Sequence, residues 1–394
     1  MKKKWTLRAL AGALALAVFY AGWWLLPSRV EPVNVRPWLM PKRAQWEGVL
    51  TVWQVSSWRT AKGARDYLLQ QAARRVEKAN RGLYFEVESI SEETLLARLA
   101  AGKMPDILSF PSGMEVPFRD LCMGLTYEGA LLPALEAAVA DEGEAWALPW
   151  MASGSLVAIN TGLAQDYGVL PSADNWTAQS LLEAAQAAYH VVGSKNPKTI
   201  YGLSGAQQNL LPLTQQETGL GEWMSPTQAT DRAAYDQFAE GKTVFLLATP
   251  WEAAAMDRSQ SRGKGFPVTL LPIPNDMPME LTAQWVCVRD SDNDQRDSMA
   301  ALLVAALLSE TTQKQVTTST GCLSVWAGQD ANAQPDAAQK LLLTRQGAVW
   351  VRKPGWAVPD ETVDAAARGD GSARLALAQG CVLWQGGAVD AGPG

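Results

Sequence analysis

The chain has 394 residues, a formal net charge of -6 and 19% charged residues, and at that length one hydrophobic core gives way to two. An acidic balance with no sustained basic run beyond the first residues leaves nothing to neutralise a phosphate backbone, which argues against nucleic acid as a partner. Seventeen tryptophans against seven phenylalanines and eight tyrosines supply an excess of large flat faces, each with one N–H donor, suited to stacking on a ligand as well as to filling a core.

Lys2, Lys3, Lys4 and Arg8 precede an apolar run from Ala9 to Leu26. Positive charge before an apolar stretch holds that end inside and sends the rest across a membrane, and the run has the lower length limit of a spanning helix. A cleaved signal peptide is the competing reading, but a small-x-small cleavage site is hard to place, with Trp23 and Trp24 following Ala21. Residues 1–27 are therefore expected to be an uncleaved transmembrane anchor, and residues 28–47, broken by Pro32, Pro37 and Pro41, an extended linker.

Beyond the linker the pattern alternates. Gly48 to Trp53 is rich in β-branched and aromatic residues and reads as a first strand; Ala61 to Ala79 carries apolar residues at helical spacing, stopped by Asn80-Arg81-Gly82. Tyr84 to Ser89 reads as a second strand, Ser91 as the cap of a helix running to Gly102, and Ile107 to Phe110 as a third strand entered by Pro105-Asp106. Strand, helix, strand, helix signals parallel α/β construction. Extended segments follow at Ala147 to Trp150 and Ser155 to Asn160, an amphipathic helix at Trp176 to Tyr189 capped by Asp174 or Thr177, strands at Val244 to Ala248 and Val268 to Leu271, and an apolar helix at Ser298 to Ser309. From about residue 375 the pattern is weak, and with its last residues Gly-rich the tail is expected to fray.

In open α/β sheets the ligand crevice lies beyond the carboxyl ends of the strands. That rule selects Trp53, Gln54, Ser56, Ser57 and Trp58 after the first strand, Pro111, Ser112 and Gly113 after the third, and Thr249, Trp251 and Glu252 after the strand at 244–248. Trp150 stands at a first presumed crossing between lobes, and Gln284 and Trp285 follow a second. From these, Trp53, Gln54, Ser56, Ser112, Trp150, Trp251, Glu252 and Trp285 are the candidate ligand-binding residues. Aromatic plates with short hydroxyls and amides suit a polyhydroxylated solute. Trp223 is a weaker candidate, and Trp326, Trp350, Trp356 and Trp384 are assigned to packing.

Enzymatic and cofactor motifs fail one by one. His190, the sole histidine, is expected at the end of a helix and has no nucleophile pattern near it. Glu240-Gly241-Lys242-Thr243 resembles the end of a phosphate-binding loop, but Asp236 occupies the position of the required first glycine. Asp290 to Asp294 begins like a calcium loop, yet Gln295 and Ala301 stand where glycine and glutamate are needed. Cys122, Cys287, Cys322 and Cys381 form no CxxC pair, which argues against a zinc or redox centre and leaves disulfide pairing open. No cofactor, metal or catalytic residue is expected.

Several pieces, in this order, resemble the family 1 extracellular solute-binding proteins, relatives of the maltose-binding protein. The likeness runs through Leu50 to Trp53, the Leu99-Ala100-Ala101-Gly102-Lys103-Met104-Pro105-Asp106-Ile107 element, Ala147 to Trp150 with Val157 to Asn160, Phe238 to Phe245 with Pro250-Trp251, Leu271 to Pro274, and Ala300 to Leu308 with Gln313 and Gly321 to Val325. It departs in a shortened stretch between Gly202 and Phe238 and in Ser324, where the family commonly has proline. The resemblance implies a two-lobed α/β fold of the type II periplasmic-binding-protein kind, with hinge crossings near 152–156 and 272–284. Lobe 1 is then expected to comprise residues 48–152 and 272–322, and lobe 2 residues 153–271 and 323–394. It implies a monomeric receptor at the extracytoplasmic face of the membrane, passing a small, sugar-like solute to an ABC permease. A ligand-sensing subunit of a signalling system and a glycan-processing enzyme are the alternatives, the latter disfavoured because glycosidases need a carboxyl pair and only Glu252 among the strand-end candidates is acidic.

Overall fold

The structure, a computed structural model, describes residues 42–140, 145–172, 175–193, 198–215, 221–225, 231–328, 334–387 and 389. The chain runs β1 (Lys42–Val55), α1 (Arg65–Ala79), β2 (Asn80–Ile90), α2 (Glu92–Ala100), β3 (Ile107–Pro111), α3 (Pro133–Ala140) and β4 (Ala147–Gly154). It continues with β5 (Leu156–Asn160), α4 (Thr161–Asp166), α5 (Ala178–Ala188), β6 (His190–Val192), β7 (Lys198–Gly205), a 3-10 segment Gln207–Gln215, α6 (Asp231–Ala239), β8 (Thr243–Ala248), α7 (Pro250–Ser261) and β9 (Val268–Pro272). The last part comprises β10 (Met279–Val288), α8 (Asp294–Leu308), α9 (Glu310–Thr320), α10 (Ala337–Thr344), β11 (Val349–Arg352), α11 (Asp360–Ala367), α12 (Gly371–Gly380) and β12 (Cys381–Trp384).

Two sheets result, one per lobe. The larger has the order β12-β11-β10-β3-β1-β2 with β4 also paired to β10; the smaller is β6-β7-β8-β5-β9. Strands β1, β2 and β3 are parallel, joined by helical crossovers. β3 to β5 are buried along their whole length, as strands covered on both faces must be. The chain leaves the large sheet at Gly154 and enters the small one at Leu156, so Ser155 alone makes that crossing; its hydroxyl accepts from Glu280 N at 3.2 Å. The return crossing, 273–278, is held by the buried Arg345 guanidinium, which donates to the carbonyls of Ile273 (3.2 Å), Pro274 (3.2 Å) and Met277. Burial pushes the Arg345 pKa down to about 10, against the opposing pull of Asp276.

Capping follows the local chemistry read from the sequence. Ser91 accepts from Thr94 N at 3.1 Å at the start of α2, and Thr177 accepts from Ser180 N at 3.1 Å at the start of α5; Asp174 lies outside the described residues. The calcium-like run is a turn: Asp292 sits at φ 57° with its N–H on Asp290 Oδ1 (3.0 Å), and Asn293 caps α8.

Three expectations are corrected. β1 begins at Lys42, where Lys42 and Arg43 pair with Asn80 and Arg81, so the end of the expected linker 28–47 is strand; the register shifts between Arg43 and Gly48. β11 and β12 join the large sheet beside β10, placing 349–352 and 381–384 there and not with the small sheet, because β10 offers them a free ladder edge. The weakly patterned stretch from 375 carries helix and strand as far as Trp384, and residues 390–394, at the end expected to fray, lie outside the described residues. His190 opens β6 with its ring stacked 4.6 Å from Tyr167 and does not close a helix. The apolar run Ala9 to Leu26 lies outside the described residues, and among those described no helix is long and apolar enough to cross a membrane.

Candidate functional site

A cavity of about 300 Å³ opens where the ends of the strands from both sheets meet. From the large sheet it is lined by Ser57 and Trp58 after β1, Pro111 to Met114 at and after β3, Ser153 and Gly154 at the end of β4, and Glu280 and Thr282 of β10. Asn209 and Thr249 close it from the small-sheet side, Ser155 lies at the crossing, and Glu92 of α2, Arg352 and the segment 357–360 complete it. Ser57, Ser112, Ser153, Ser155, Thr249 and Thr282 bring hydroxyls to the lining. Ser112 has its Oγ fixed by the N–H of Ala283 (3.0 Å) and the indole N–H of Trp285 (2.9 Å).

Trp58 is the aromatic plate of the cavity, 7% exposed. Beneath it lies Arg65, whose guanidinium carbon is 4.1 Å from the indole centroid. That guanidinium also donates to Gln284 Oε1 at 2.8 Å and to the Trp58 carbonyl. Burial lowers the Arg65 pKa to about 10, a cost offset by these contacts. Gln284 in turn donates to the Val55 carbonyl (2.8 Å) and Ser109 Oγ (3.0 Å), so the plate is tied to the ends of β1, β3 and β10. The indole N–H of Trp58 is buried with no hydrogen-bond partner.

One side of the cavity is charged. Arg352 bonds Glu280 Oε1 at 3.1 Å, with both side chains almost fully buried, and reaches Asp360 Oδ1 at 3.3 Å. Burial, and secondarily the nearby charge of Asp360, push the Glu92 carboxyl above its ordinary range.

Among the eight candidates, Ser112 lines this cavity; Ser57, Trp58, Pro111, Gly113 and Thr249, also selected by the strand-end rule, stand beside it. Trp150 and Trp285 are fully buried, their N–H groups spent on Ser109 (3.0 Å) and Ser112 (2.9 Å). With no exposed surface, neither offers a face to a ligand here; each indole contributes roughly 2–3 kcal/mol of burial to the large lobe. Gln54 is buried, with Nε2 on the Oγ of the exposed Ser56 at 3.2 Å. Trp53 lies under Arg98, whose guanidinium is 4.9 Å from its ring and paired bidentately with Glu88. Trp251 packs edge-on against Tyr235 at 5.7 Å, inside the small-lobe core. Glu252 caps α7, accepting from the Thr249 N–H at 2.8 Å and from the Thr249 hydroxyl.

Glu92, Asn209, Glu280, Arg352 and Asp360 were not singled out from the sequence. The same strand-end rule would have reached Arg352, had Val349-Trp350-Val351 been taken as a strand and not as packing.

Residues 71–342 match the family described as bacterial extracellular solute-binding protein. In fold the chain is similar to the GacH receptor of Streptomyces glaucescens GLA.O, described unliganded and with acarbose, at 16% identity, 85% of this chain, 96% of that chain and a TM-score of 0.56. It is likewise similar to maltose-bound MalE3 of T. maritima (16% identity, 84% and 98% coverage, TM-score 0.57) and to the sugar-binding protein MalE of Xanthomonas citri (16%, 84% and 95%, 0.57). No curated protein sequence gives a significant match. These likenesses carry the two-lobed α/β architecture, while the matched stretch takes in β2 to β10 and the cavity walls they carry, with Ser57 and Trp58 lying before it and Arg352 and 357–360 after it. The chain belongs to the bacterial extracellular solute-binding proteins.

Proposed function

We propose that this protein captures a sugar-like solute in the cavity between its lobes and presents it to an ABC permease, working as a monomer at the extracytoplasmic face of the membrane. In this reading residues 1–27 are the anchor and 28–41 the spacer. The first lobe is built on 42–154, 279–326 and the strands at 349–352 and 381–384, and the second on 156–272. The observation that carries it is the composition of the cavity. Ser57, Ser112, Ser153, Ser155, Thr249, Thr282 and Asn209 surround one indole plate, an arrangement that hydrogen-bonds ring hydroxyls while stacking on the C–H face of a sugar. Walls drawn from both lobes mean that a solute gains its full set of contacts when the lobes shut, which is how ligand energy drives hinge closure. Structural neighbours described with acarbose and with maltose support the same class of solute.

Calorimetry and thermal melts on the wild-type protein and Trp58→Ala test this. Maltotriose, mannotriose and tagatose are the first ligands to try. A ligand at a hundred times its Kd raises stability by about 2.7 kcal/mol, so binding appears as a clear rise in Tm that Trp58→Ala abolishes. A panel of neutral and amino-bearing sugars that produces no shift at millimolar concentration overturns the reading.

A further inference from the structure

We infer that Arg65 is the positioning residue of the cavity: its guanidinium holds the Trp58 indole in the setting on which a sugar ring stacks, and solute affinity depends on that hold; this rests on the sugar-binding reading above. Trp58 lines the cavity and Arg65 does not, so the arginine acts through the indole and not by touching the solute. Trp58 stands between Val55, the last residue of β1, and Arg65, the first of α1, in a stretch with neither helix nor strand. No ladder or helical turn therefore sets the ring. The guanidinium sets it from outside that stretch. Its carbon lies 4.1 Å from the indole centroid, and it donates to the Trp58 carbonyl and, at 2.8 Å, to Gln284 Oε1. Gln284 passes the hold on to the Val55 carbonyl (2.8 Å) and Ser109 Oγ (3.0 Å), so the position of the ring is referred to β1, β3 and β10.

The cost of this arrangement sets it apart from core filling. Arg65 is 5% exposed and has no ion pair among the described residues. A buried cation without a carboxylate partner is expensive, and a methionine would fill the same space without desolvating a charge. What a methionine lacks is a flat cation with fixed donors in its plane. The flat side of a guanidinium covers an aromatic ring while its edge bonds carbonyl oxygens, and the compact ammonium of a lysine cannot do both. A ring held in this way is ordered before the solute arrives. Binding then does not have to immobilise it, and the saving appears as affinity.

Fluorine NMR on the full chain labelled with 5-fluorotryptophan, together with calorimetry against maltotriose, mannotriose and tagatose, tests the inference. The Trp58 line is assigned by its loss in Trp58→Phe, and in the wild-type protein it is expected to be single and narrow. In Arg65→Lys, and separately in Arg65→Met, that line should broaden or split while the remaining tryptophan lines keep their widths, and sugar affinity should fall about three- to tenfold. An unaltered Trp58 line in both variants overturns the inference and leaves the sugar reading standing. A broadened Trp58 line with undiminished affinity for a sugar that the wild-type protein binds does the same. A spectrum disturbed throughout in both variants makes Arg65 a residue of the fold and overturns the inference as well. Rejection of every sugar by wild-type protein whose Trp58 line behaves as expected overturns the sugar reading, and the inference falls with it.

Discussion

The guanidinium of Arg59, in the segment that follows β1 of the large sheet, lies 4.8 Å from the centroid of the Trp251 ring, at the start of α7 in the small lobe. A second contact runs beside it, from Arg258 Nη1 to the carbonyl of Ala61 at 3.0 Å. Both join one lobe to the other, and none of the four residues lines the cavity. Trp251 does not line the cavity; its ring lies between the Arg59 guanidinium and Tyr235. Removing the cation in Arg59→Ala should weaken solute binding about two- to fivefold, the value of an exposed cation–π contact, with an unchanged melting temperature for the solute-free protein. Titration of intrinsic fluorescence checks this; an affinity equal to wild type would show that the contact adds nothing to the shut form. Trp251→Ala differs, because the indole also packs on Tyr235 in the small-lobe core, and a loss of about 3 kcal/mol of stability should accompany it.

Gly113 sits at φ +85° in the cavity wall, and a Cβ built there would stand 2.9 Å from Arg352 Nη1. An L-residue at that φ is strained, and the added methyl would press on the guanidinium that pairs with Glu280 and Asp360. Gly113→Ala is expected to cost about 1–2 kcal/mol of stability and to lower solute affinity as Arg352 is displaced. Calorimetric titration together with chemical denaturation separates the two effects. Wild-type affinity in a protein that melts early would confine the role of Gly113 to the fold.

What the sequence revealed and what it hid divide along a physical line. Alternating strands and helices were legible because apolar periodicity is local: Ser91 capping α2 and Leu95 buried on its inner face need only neighbouring residues. Strand ends were legible for the same reason, which is why Ser57, Trp58, Ser112 and Thr249 were within reach. Facing was not. Trp150 and Trp285 do lie on strands that meet the cavity, but a shift of one residue along a strand moves a side chain to the opposite face, and both indoles fell to the core. The charged wall was hidden for another reason: Glu280 and Arg352 meet across 72 positions of sequence through the pairing of β10 with β11, and no local pattern specifies that partnership.

The Pro105-Asp106 element, the most specific piece of the family resemblance, has a structural explanation. Asp106, 4% exposed, accepts from the Thr51 N–H (2.8 Å) and hydroxyl (3.1 Å) through one oxygen, and from Arg296 (2.6 Å) and Arg289 (3.3 Å) through the other. One carboxylate thereby joins β1, the entry to β3, the end of β10 and the start of α8. Asp106→Asn keeps the size but strips the charge from two arginines and turns one acceptor into a donor facing donors. Stability should fall by about 3 kcal/mol, read by urea denaturation. A loss near zero would mean that solvent already carries the two guanidinium groups.

The four cysteines provide a test of packing that needs no ligand. All are free thiols; Cys287, Cys322 and Cys381 are buried and Cys122 is half-exposed. Burial raises Cys322 to about 11 and Cys381 to about 12, and Cys287 well above its ordinary value, the last also through the neighbouring Cys122 thiol. Because the thiolate is the reactive form, a raised pKa suppresses reaction at pH 8 twice over, by withholding the anion and by shielding the sulfur. The reduced native protein should therefore show a single fast equivalent with a chromogenic disulfide reagent at that pH, assigned to Cys122 by its loss in Cys122→Ser. The remaining thiols should appear only when urea unfolds the chain. Two or more fast equivalents in native protein would place a second cysteine at the surface and contradict the packing of the large sheet, since Cys287 lies in its central strand and Cys381 opens its edge strand.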